Sequence, residues 1–188
     1  TLRGHGKTES LITVRKIFPP SVLETLVKDY SYFEGRGISR ETLEVFQTGV
    51  CKTGRLKGRF VIPVFNSKKE IVGLVGRALD ETTEPKYKII GQKKTFVFPA
   101  ALNLAEIQKS REVILVESQA CVFKLWDCGI RNALCLFGTE LSIAVLNFCI
   151  KVDPKRVVVA TNNEVSGVGN DAAIKIAKKL RKFFDKPQ

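Results

Sequence analysis

Apolar and polar positions alternate in regular blocks from about residue 111 to the end of the chain. Short continuous apolar runs, EVILVES, NALCLFG and RVVVAT, predict three buried strands. Each run precedes a segment with apolar residues at helical spacing, namely QACVFKLWDCG, ELSIAVLNFCI and NDAAIKIAKKLRKFF. Three strand–helix repeats of this kind predict an α/β region in which a parallel sheet is covered by helices.

The first part of the chain is less regular. PPSVLETLVKDY predicts a helix with Ser21 as its N-cap, and GISRETLEVFQTG predicts one that Ser39 caps, that starts at Thr42 and that Gly49 ends. GRFVIPVFN and IVGLVGRAL predict a β-hairpin, in which Pro63 favours an edge or a bulge. Residues 80–103 carry many charges and predict an extended excursion over the surface.

These two patterns predict two domains. Residues 1–110 form a basic α+β subdomain of helices and a β-hairpin, and residues 111–188 form the domain with the parallel sheet. The boundary lies where the spacing of apolar residues becomes regular.

Polar residues follow the predicted parallel strands. Glu117 follows the first strand, Gly138 and Thr139 the second, and Asn162 and Glu164 the third. In parallel sheets functional residues gather at the carboxyl ends of the strands, and Mg²⁺ prefers a few oxygen ligands. The alternative is that Glu117 caps the next helix and Glu164 is solvated.

The charge of the chain is unusual for its otherwise ordinary composition. The chain is 44% hydrophobic and 27% charged, which is typical of a globular protein rather than a disordered one. Its 31 Lys and Arg against 19 Asp and Glu give a net charge of +12, which indicates a polyanionic partner, with nucleic acid as the leading candidate. The alternative is a charge that serves solubility alone.

Other features bear on location. No apolar run approaches the roughly 20 residues of a membrane span, so no membrane contact is predicted. The five Cys show no CxxC pair, which is typical of buried, reduced thiols in a cytoplasmic protein. The chain starts at Thr1 and contains no Met, which indicates a fragment of a longer protein.

The second half resembles a known family. VILVESQACVFKLWDCGIRNALCLFGTELS followed by RVVVATNNEVSGVGNDAA is similar to the TOPRIM domain, the metal-binding module of topoisomerases and primases, and above all to DnaG-type primases of bacteria and phages. Glu117 matches the family glutamate. The other matching positions are Gly129, Asn132, Ala133, Gly138, Thr139 and Gly167.

The upstream region resembles the same family. GISRETLEVFQTGV, GRFVIPVFNSKKEIVGLVGRAL and EPKYKI are similar to primase elements, in the same order, so the resemblance spans about residues 35 to 173. This order separates a primase core from a topoisomerase or a small TOPRIM nuclease.

The sequence departs from the family at four positions. Ser118 replaces a glycine, Cys121 replaces an acidic residue, and the first and second Asp of the Asp-x-Asp motif are Asn162 and Glu164. In the family the glutamate and the acidic pair hold Mg²⁺. The acidic set is therefore reduced to Glu117 and Glu164, and a lower metal affinity is expected.

The resemblance implies a DNA primase that synthesises short RNA primers on single-stranded DNA from ribonucleoside triphosphates with Mg²⁺ or Mn²⁺. Glu117, Asn162 and Glu164 would be the catalytic and metal residues. The residues that would grip template and nucleotide phosphates are Arg59, Arg77, Lys86 and Lys88. The implied setting is the cytoplasm of a bacterial cell, with a phage or other mobile element as the source and a replicative helicase as a further partner.

Two alternatives remain open at this stage. The altered acidic motif is also compatible with a catalytically impaired module that binds nucleic acid and recruits or regulates a replication partner. The basic last helix, KIAKKLRKFFDK, is typical either of contact with a nucleic-acid backbone or of an amphipathic helix that packs on the sheet.

Overall fold

The described part of the chain contains two sheets. The computed structural model describes residues 17–162 and 168–184. A five-stranded antiparallel sheet comes first along the chain, and a three-stranded parallel sheet follows. Helices flank the parallel sheet, so the predicted mixed α/β fold class is confirmed.

The strands of the antiparallel sheet follow one another in chain order from edge to edge. They are β1 (Leu26–Val27), β2 (Gly49–Cys51), β3 (Arg59–Phe65), β4 (Ile71–Ala78) and β5 (Tyr87–Gly91). The predicted hairpin is confirmed as β3 and β4, which pair along their whole lengths.

Pro63 lies inside this sheet without breaking it. β2 pairs with β3 only at Phe60 and Val61, so Pro63 lies beyond the end of β2, where its missing N–H costs no ladder bond. The register of the hairpin shifts between Val64 and Phe65, next to the proline. The prediction of an edge or a bulge is confirmed by the irregularity one residue farther along, in a strand that is an inner one.

The predicted surface excursion over residues 80–103 was wrong. Tyr87–Gly91 pairs with β4 as strand β5, and helix α4 begins at Ala100. The charged composition concealed this strand, because the neighbouring β4 provides the pairing that makes the segment extended.

Three short helices precede and interrupt the antiparallel sheet. They are α1 (Ser21–Glu24), α2 (Ser31–Glu34) and α3 (Arg40–Val45). The long helix predicted after Ser21 was wrong, because α1 has a single turn, Pro20 occupies its N-cap, and Leu26 and Val27 pair with β2 instead.

The cap of α3 agrees with the prediction. The Ser39 hydroxyl accepts a hydrogen bond from the Thr42 N–H at 3.1 Å. The helix itself begins at Arg40, two residues earlier than predicted, and ends at Val45, so that Gly49 belongs to β2.

The predicted alternation of strands and helices is confirmed in the second half. β6 is the central strand and pairs in parallel with β7 on one side and β8 on the other. The elements are α4 (Ala100–Ser110), β6 (Glu112–Val116), α5 (Gln119–Asp127), β7 (Ala133–Cys135), α6 (Ile143–Val152), β8 (Arg156–Ala160) and α7 (Val168–Leu180).

An aromatic core joins the two sheets. Phe123 of α5 is fully buried, with its ring centroid 4.8 Å from that of Phe46 and 5.8 Å from that of Phe33. Phe60 and Val75 of the antiparallel sheet and Val116 of the parallel sheet belong to the same buried cluster. Burial of so much aromatic surface at one place holds the sheets in a fixed relation.

The five cysteines are free thiols. Three are buried, as predicted, but Cys121 is half-buried and Cys128 is exposed. Burial raises the pKa of the Cys149 thiol to about 12. Within residues 17–162 and 168–184, no helix is long and apolar enough to cross a bilayer.

Candidate active site

Glu117 and Asn162 lie together at one edge of the parallel sheet. β6 and β8 run in register to the pair Val116 and Ala160; Glu117 follows the first strand directly, and Asn162 lies two residues after the end of the second. The Asn162 backbone N–H donates a hydrogen bond to Glu117 Oε2 at 3.4 Å. The fold therefore holds the carboxylate of Glu117 next to the backbone of Asn162. Glu164 lies outside the described residues.

The helix that follows Glu117 has a different cap. The Ser118 hydroxyl accepts a hydrogen bond from the Cys121 N–H at 3.4 Å and so caps α5. Ser118, which replaces the expected glycine, thus accepts a hydrogen bond from a backbone N–H at the start of α5. A carboxylate could otherwise accept that bond. The alternative in which Glu117 caps α5 is excluded in this structure, and its carboxylate remains available to a ligand.

The loop after β7 approaches Glu117 from the other side. The Gly138 N–H donates to the carbonyl oxygen of Glu117 at 3.0 Å, and Gly138 has φ +133°, a conformation that favours glycine. A cavity of about 710 Å³ opens beside this loop. Its polar lining includes Lys93, Lys94, Gly138, Thr139 and Ser142.

Two thiols lie close to the same edge. Cys121 Sγ is 3.2 Å from the Ser118 hydroxyl oxygen and packs against the aromatic core. Cys135 Sγ donates to the carbonyl oxygen of Glu117 at 3.6 Å, and complete burial raises the pKa of this thiol, with Lys93 lowering it and Glu117 raising it. Position 121, which is acidic in the family, is thus occupied by a cysteine that packs against the aromatic core.

The oxygen donors present suit a hard divalent cation. Glu117 provides a carboxylate, and Asn162 provides a neutral amide whose side-chain oxygen can coordinate an ion. Among the described residues no group of three His, Cys, Asp or Glu side chains is arranged to hold a metal. The described part of the site thus fits Mg²⁺ or Mn²⁺ by donor type, with fewer charges than the family pattern has.

The four predicted basic residues do not share one surface. Arg77 lies opposite Tyr87 and Phe60, on the sheet face that packs toward the parallel sheet. Arg59 lies opposite Ala78, and Lys88 lies opposite Gly76, so both belong to the other face. The structure therefore places Arg77 on the sheet face that carries the aromatic core, and Arg59 and Lys88 on the opposite face.

Arg59 is already engaged with the protein backbone. It is only 5% exposed, and its Nη1 donates to the Pro85 carbonyl oxygen at 2.7 Å and to that of Gly76 at 3.4 Å. Lys86 follows Pro85 and is exposed. Arg59 thus supports the segment that presents Lys86.

Arg77 belongs to a cluster of arginine and tyrosine side chains. Its guanidinium lies 5.5 Å from the ring centroid of Tyr32 and 5.2 Å from that of Tyr87. Arg36 lies on the Tyr32 ring at 3.7 Å and donates to the Tyr32 carbonyl oxygen. Such cation–π contacts orient the guanidinium groups. Burial raises the pKa of Tyr87, and Arg77 partly counteracts this.

Sequence reasoning did not single out Tyr32, Arg36 or Lys93. The spacing of Tyr32 and Arg36, four residues apart, is that of neighbours on a helix surface and was the available signal. No sequence pattern marks Lys93. Its Nζ lies 3.9 Å from the point that a Cβ on Gly138 would occupy, and only the folded chain brings these two residues together.

Several curated proteins are similar to the chain. The DNA primase of Helicobacter pylori strain J99 is 23% identical over 191 residues, which cover 81% of this chain and 34% of that protein. The DNA primase of Mycoplasma pneumoniae is 33% identical over 128 residues, covering 66% of this chain and 20% of that protein. The chain thus spans about a third or less of these relatives. No family model matches the chain.

Solved structures share the fold. The Aquifex aeolicus primase, solved with its zinc-binding and RNA polymerase domains, gives a TM-score of 0.74 at 20% identity, covering 83% of this chain and 49% of that one. The RNA polymerase domain of Mycobacterium tuberculosis DnaG gives 0.68 at 18% identity, covering 83% and 65%. A DnaG catalytic domain solved with single-stranded DNA gives 0.65 at 20% identity, covering 81% and 58%.

An antiparallel sheet packed on a parallel sheet, with Glu117 at the carboxyl end of the central strand, defines the class of fold found in primase catalytic cores. Within that class, the chain resembles DnaG-type primase cores, and its sequence is similar to that of bacterial DNA primases over about four-fifths of its length. The predicted resemblance is confirmed.

Proposed function

We propose that the chain carries the part of a primase that synthesises short RNA primers on single-stranded DNA from ribonucleoside triphosphates. The observation that carries this proposal is the hydrogen bond between Glu117 and the Asn162 backbone at the edge of the parallel sheet, which we interpret as a TOPRIM-type site. A Mg²⁺ or Mn²⁺ ion, when bound, supplies positive charge for the in-line displacement at phosphorus.

The residues of the chain would act in distinct ways. Glu117 holds a carboxylate at the strand end, and Asn162 and Glu164 complete the oxygen donors for the ion. Arg77, which lies beside two tyrosine rings, binds phosphate oxygens of the nucleotide or template. Lys86 and Lys88 attract template phosphates, and Arg59 supports the segment before Lys86 through Pro85.

The setting of the protein is part of the same proposal. Primer synthesis would take place in the bacterial cytoplasm, in agreement with the free thiols, with a phage or other mobile element as the source of the gene. A replicative helicase would be the partner that delivers single-stranded template.

Primer synthesis on single-stranded DNA with labelled ribonucleotides, in Mg²⁺ and separately in Mn²⁺, tests this proposal. Glu117→Gln should abolish the short RNA products, because it removes the carboxylate at the strand end. Glu81→Gln, at an exposed position before β5, is the matched control and should leave synthesis unchanged. Products of equal yield from wild type and Glu117→Gln would contradict the role of Glu117.

The second candidate is a catalytically impaired module that binds nucleic acid and recruits or regulates a replication partner. The side chains at positions 121 and 162 favour it, because Cys121 packs into the core and Asn162 carries no charge. This candidate predicts DNA binding without synthesis, including in the double variant with Asn162→Asp and Glu164→Asp. Synthesis that appears in the double variant alone would assign the impairment to the acidic motif.

A further inference from the structure

The last helix presents a strongly basic surface outside the site already described. Residues 168–184 contain five basic side chains and one acidic side chain, Asp171. Lys175, Lys178 and Lys182 are exposed and recur at helical spacing, so they form one stripe along α7 and its continuation. We call this stripe, with Lys179 and Arg181, the α7 basic face.

The apolar side of α7 explains its packing and leaves the basic face unexplained. Ile176 is 3% exposed and Leu180 is fully buried, and both belong to the core beneath the parallel sheet. An amphipathic helix needs only polar residues on its solvent side, and a mixture of both charges is enough for solubility. Neither requirement explains a surface on which nearly every charge is positive. The ion pairs among the described residues involve Arg40, Arg111 and Arg156, and no lysine of α7.

The α7 basic face is connected to the cavity beside Glu117. Lys179 Nζ donates to the Leu141 carbonyl oxygen at 3.0 Å, which fixes the face to the loop between β7 and α6. The same loop lines the cavity that Lys93 and Lys94 also line. Gly138 of this loop is hydrogen-bonded to Glu117 at 3.0 Å. Lys179 therefore contacts the same loop whose Gly138 is hydrogen-bonded to Glu117, and Lys93 lies near that glycine.

We propose that the α7 basic face is a second binding surface for a polynucleotide backbone, which holds nucleic acid that extends beyond the candidate active site. The inference rests on the proposed function for the identity of the ligand. The chemistry recognised is a row of phosphates, because the surface offers ammonium groups that no described residue neutralises. The two sources of such a row are the single-stranded template and the hybrid of template and new primer.

The spacing of the lysines suits this ligand. Seven residues separate Lys175 from Lys182, a rise of about 10 Å along a helix. That length spans about three phosphates of one strand at a spacing of about 3.4 Å along the axis. The α7 basic face should therefore neutralise two to three phosphates. Added salt should weaken this electrostatic part of the binding.

Fluorescence anisotropy with labelled oligonucleotides, measured over a series of salt concentrations, tests the proposal. The variant is the triple substitution Lys175→Gln, Lys178→Gln and Lys182→Gln, which leaves the Lys179 hydrogen bond intact. The control triple, Lys28→Gln, Lys52→Gln and Lys109→Gln, removes the same charge from exposed positions elsewhere. One arm uses a single-stranded DNA of 20 nucleotides, and the other uses an RNA–DNA hybrid of 20 base pairs.

The slope of log Kd against log salt concentration should become shallower by about 2 in the α7 triple variant, as expected when three phosphates of a single strand lose their partners. The control triple should change it by much less. A loss confined to one arm identifies template or hybrid as the ligand. Equal slopes in the two triples, with wild-type binding intact, would overturn this inference alone. Failure of the wild type to bind either oligonucleotide would overturn it together with the proposed template binding.

Both triple variants should unfold at the wild-type temperature, because all six lysines are exposed. Primer synthesis gives an independent readout, since the α7 triple should retain synthesis at low salt and lose it at a lower salt concentration than the control triple does. Retention of the wild-type salt limit would also count against the surface.

Discussion

The negative charge around Glu117 decides how strongly the candidate site can hold a divalent ion. Asn162 contributes its backbone N–H to the carboxylate at 3.4 Å, and its side chain offers a neutral oxygen. A carboxylate in place of this amide would add a full charge next to the ion. In the proposed site, metal affinity should therefore depend on position 162 as well as on Glu117.

Asn162→Asp should raise the affinity for Mn²⁺ by about tenfold, which corresponds to about 1.4 kcal/mol. The increase in thermal midpoint with Mn²⁺ concentration measures this affinity. Asn147→Asp, on the exposed side of α6, makes the same charge change away from the site and should have no effect. An equal shift in both variants would show that total charge, rather than the site, is responsible.

Arg59 and Arg77 lie on opposite faces of the same sheet and should respond differently to the same substitution. Arg59→Lys loses a buried guanidinium that bonds the Pro85 and Gly76 carbonyl oxygens, and should destabilise the protein by about 1–3 kcal/mol. Arg77→Lys gives up one part-buried hydrogen bond, to the Ala78 carbonyl oxygen, so it should destabilise less than Arg59→Lys, and it should weaken binding of single-stranded DNA, because lysine lacks the planar group held beside two rings.

Urea unfolding and anisotropy on both variants separate the two effects. Each variant serves as the control for the other, since the charge is retained in both. The assignment of Arg59 to support and Arg77 to binding would be wrong if Arg59→Lys weakened DNA binding at full stability.

At the scale of elements, α5 is attached to α3 through a single carboxylate. Asp127 at the end of α5 accepts hydrogen bonds from the Ser39 backbone N–H at 2.9 Å and from the hydroxyls of Ser39 and Thr42. Because Ser39 is also the N-cap of α3, this carboxylate fixes the start of one helix to the end of another. The contact joins a helix beside the antiparallel sheet to a helix of the parallel sheet.

Asp127→Asn should lower the free energy of unfolding at pH 7 by about 1–2 kcal/mol, a modest value because the carboxylate is exposed. Partial burial acts to raise the pKa of Asp127, but the hydrogen bonds from Ser39 and Thr42 outweigh it and lower the pKa. The stabilisation is therefore complete above the unfolded pKa of about 3.9 and is lost as the pH falls through the lower folded value.

Urea titrations of wild type and Asp127→Asn at pH 7 and at about pH 3 check this dependence. The difference between the two proteins should be largest at pH 7 and shrink at the acidic pH. A difference that is independent of pH would mean that the carboxylate charge plays no part in the contact.

At the scale of the whole molecule, the shared aromatic core should make the two sheets unfold together. Phe123→Ala should cost about 3–5 kcal/mol, since its ring, on a helix of the second part of the chain, is fully buried against phenylalanines of the first part. Such a loss is a large share of the roughly 5–15 kcal/mol that stabilises a typical protein. The exposed Ile150 on α6, substituted by Ala, should cost less than about 0.5 kcal/mol.

Two probes test whether unfolding is a single event. Trp126 of α5, whose ring centroid is 5.1 Å from that of Phe46, reports on the shared core by fluorescence, and circular dichroism reports on both sheets. The two urea transitions should coincide in wild type. Separate transitions would contradict a shared core.

The features that the sequence predicted well are those encoded in contiguous residues. The three strands and three helices after residue 111, the β3–β4 hairpin and the Ser39 cap all appear in the structure. Periodicity and capping are local, because the residues that produce them lie within a few positions of one another. The failures have the opposite origin: Leu26–Val27 and Tyr87–Gly91 are strands because of partners far along the chain.

The same distinction applies to the candidate site. The sequence by itself determined that Glu117 and Asn162 follow strands and that the chain is basic, because strand ends and charges can be read position by position. Only the tertiary structure decided that Arg59 is buried, that Arg77 lies on the sheet face of the aromatic core, and that Lys179 fixes the α7 basic face to the loop after β7. Burial and hydrogen-bond partners depend on which distant segments meet, and folding of the whole chain alone sets those contacts.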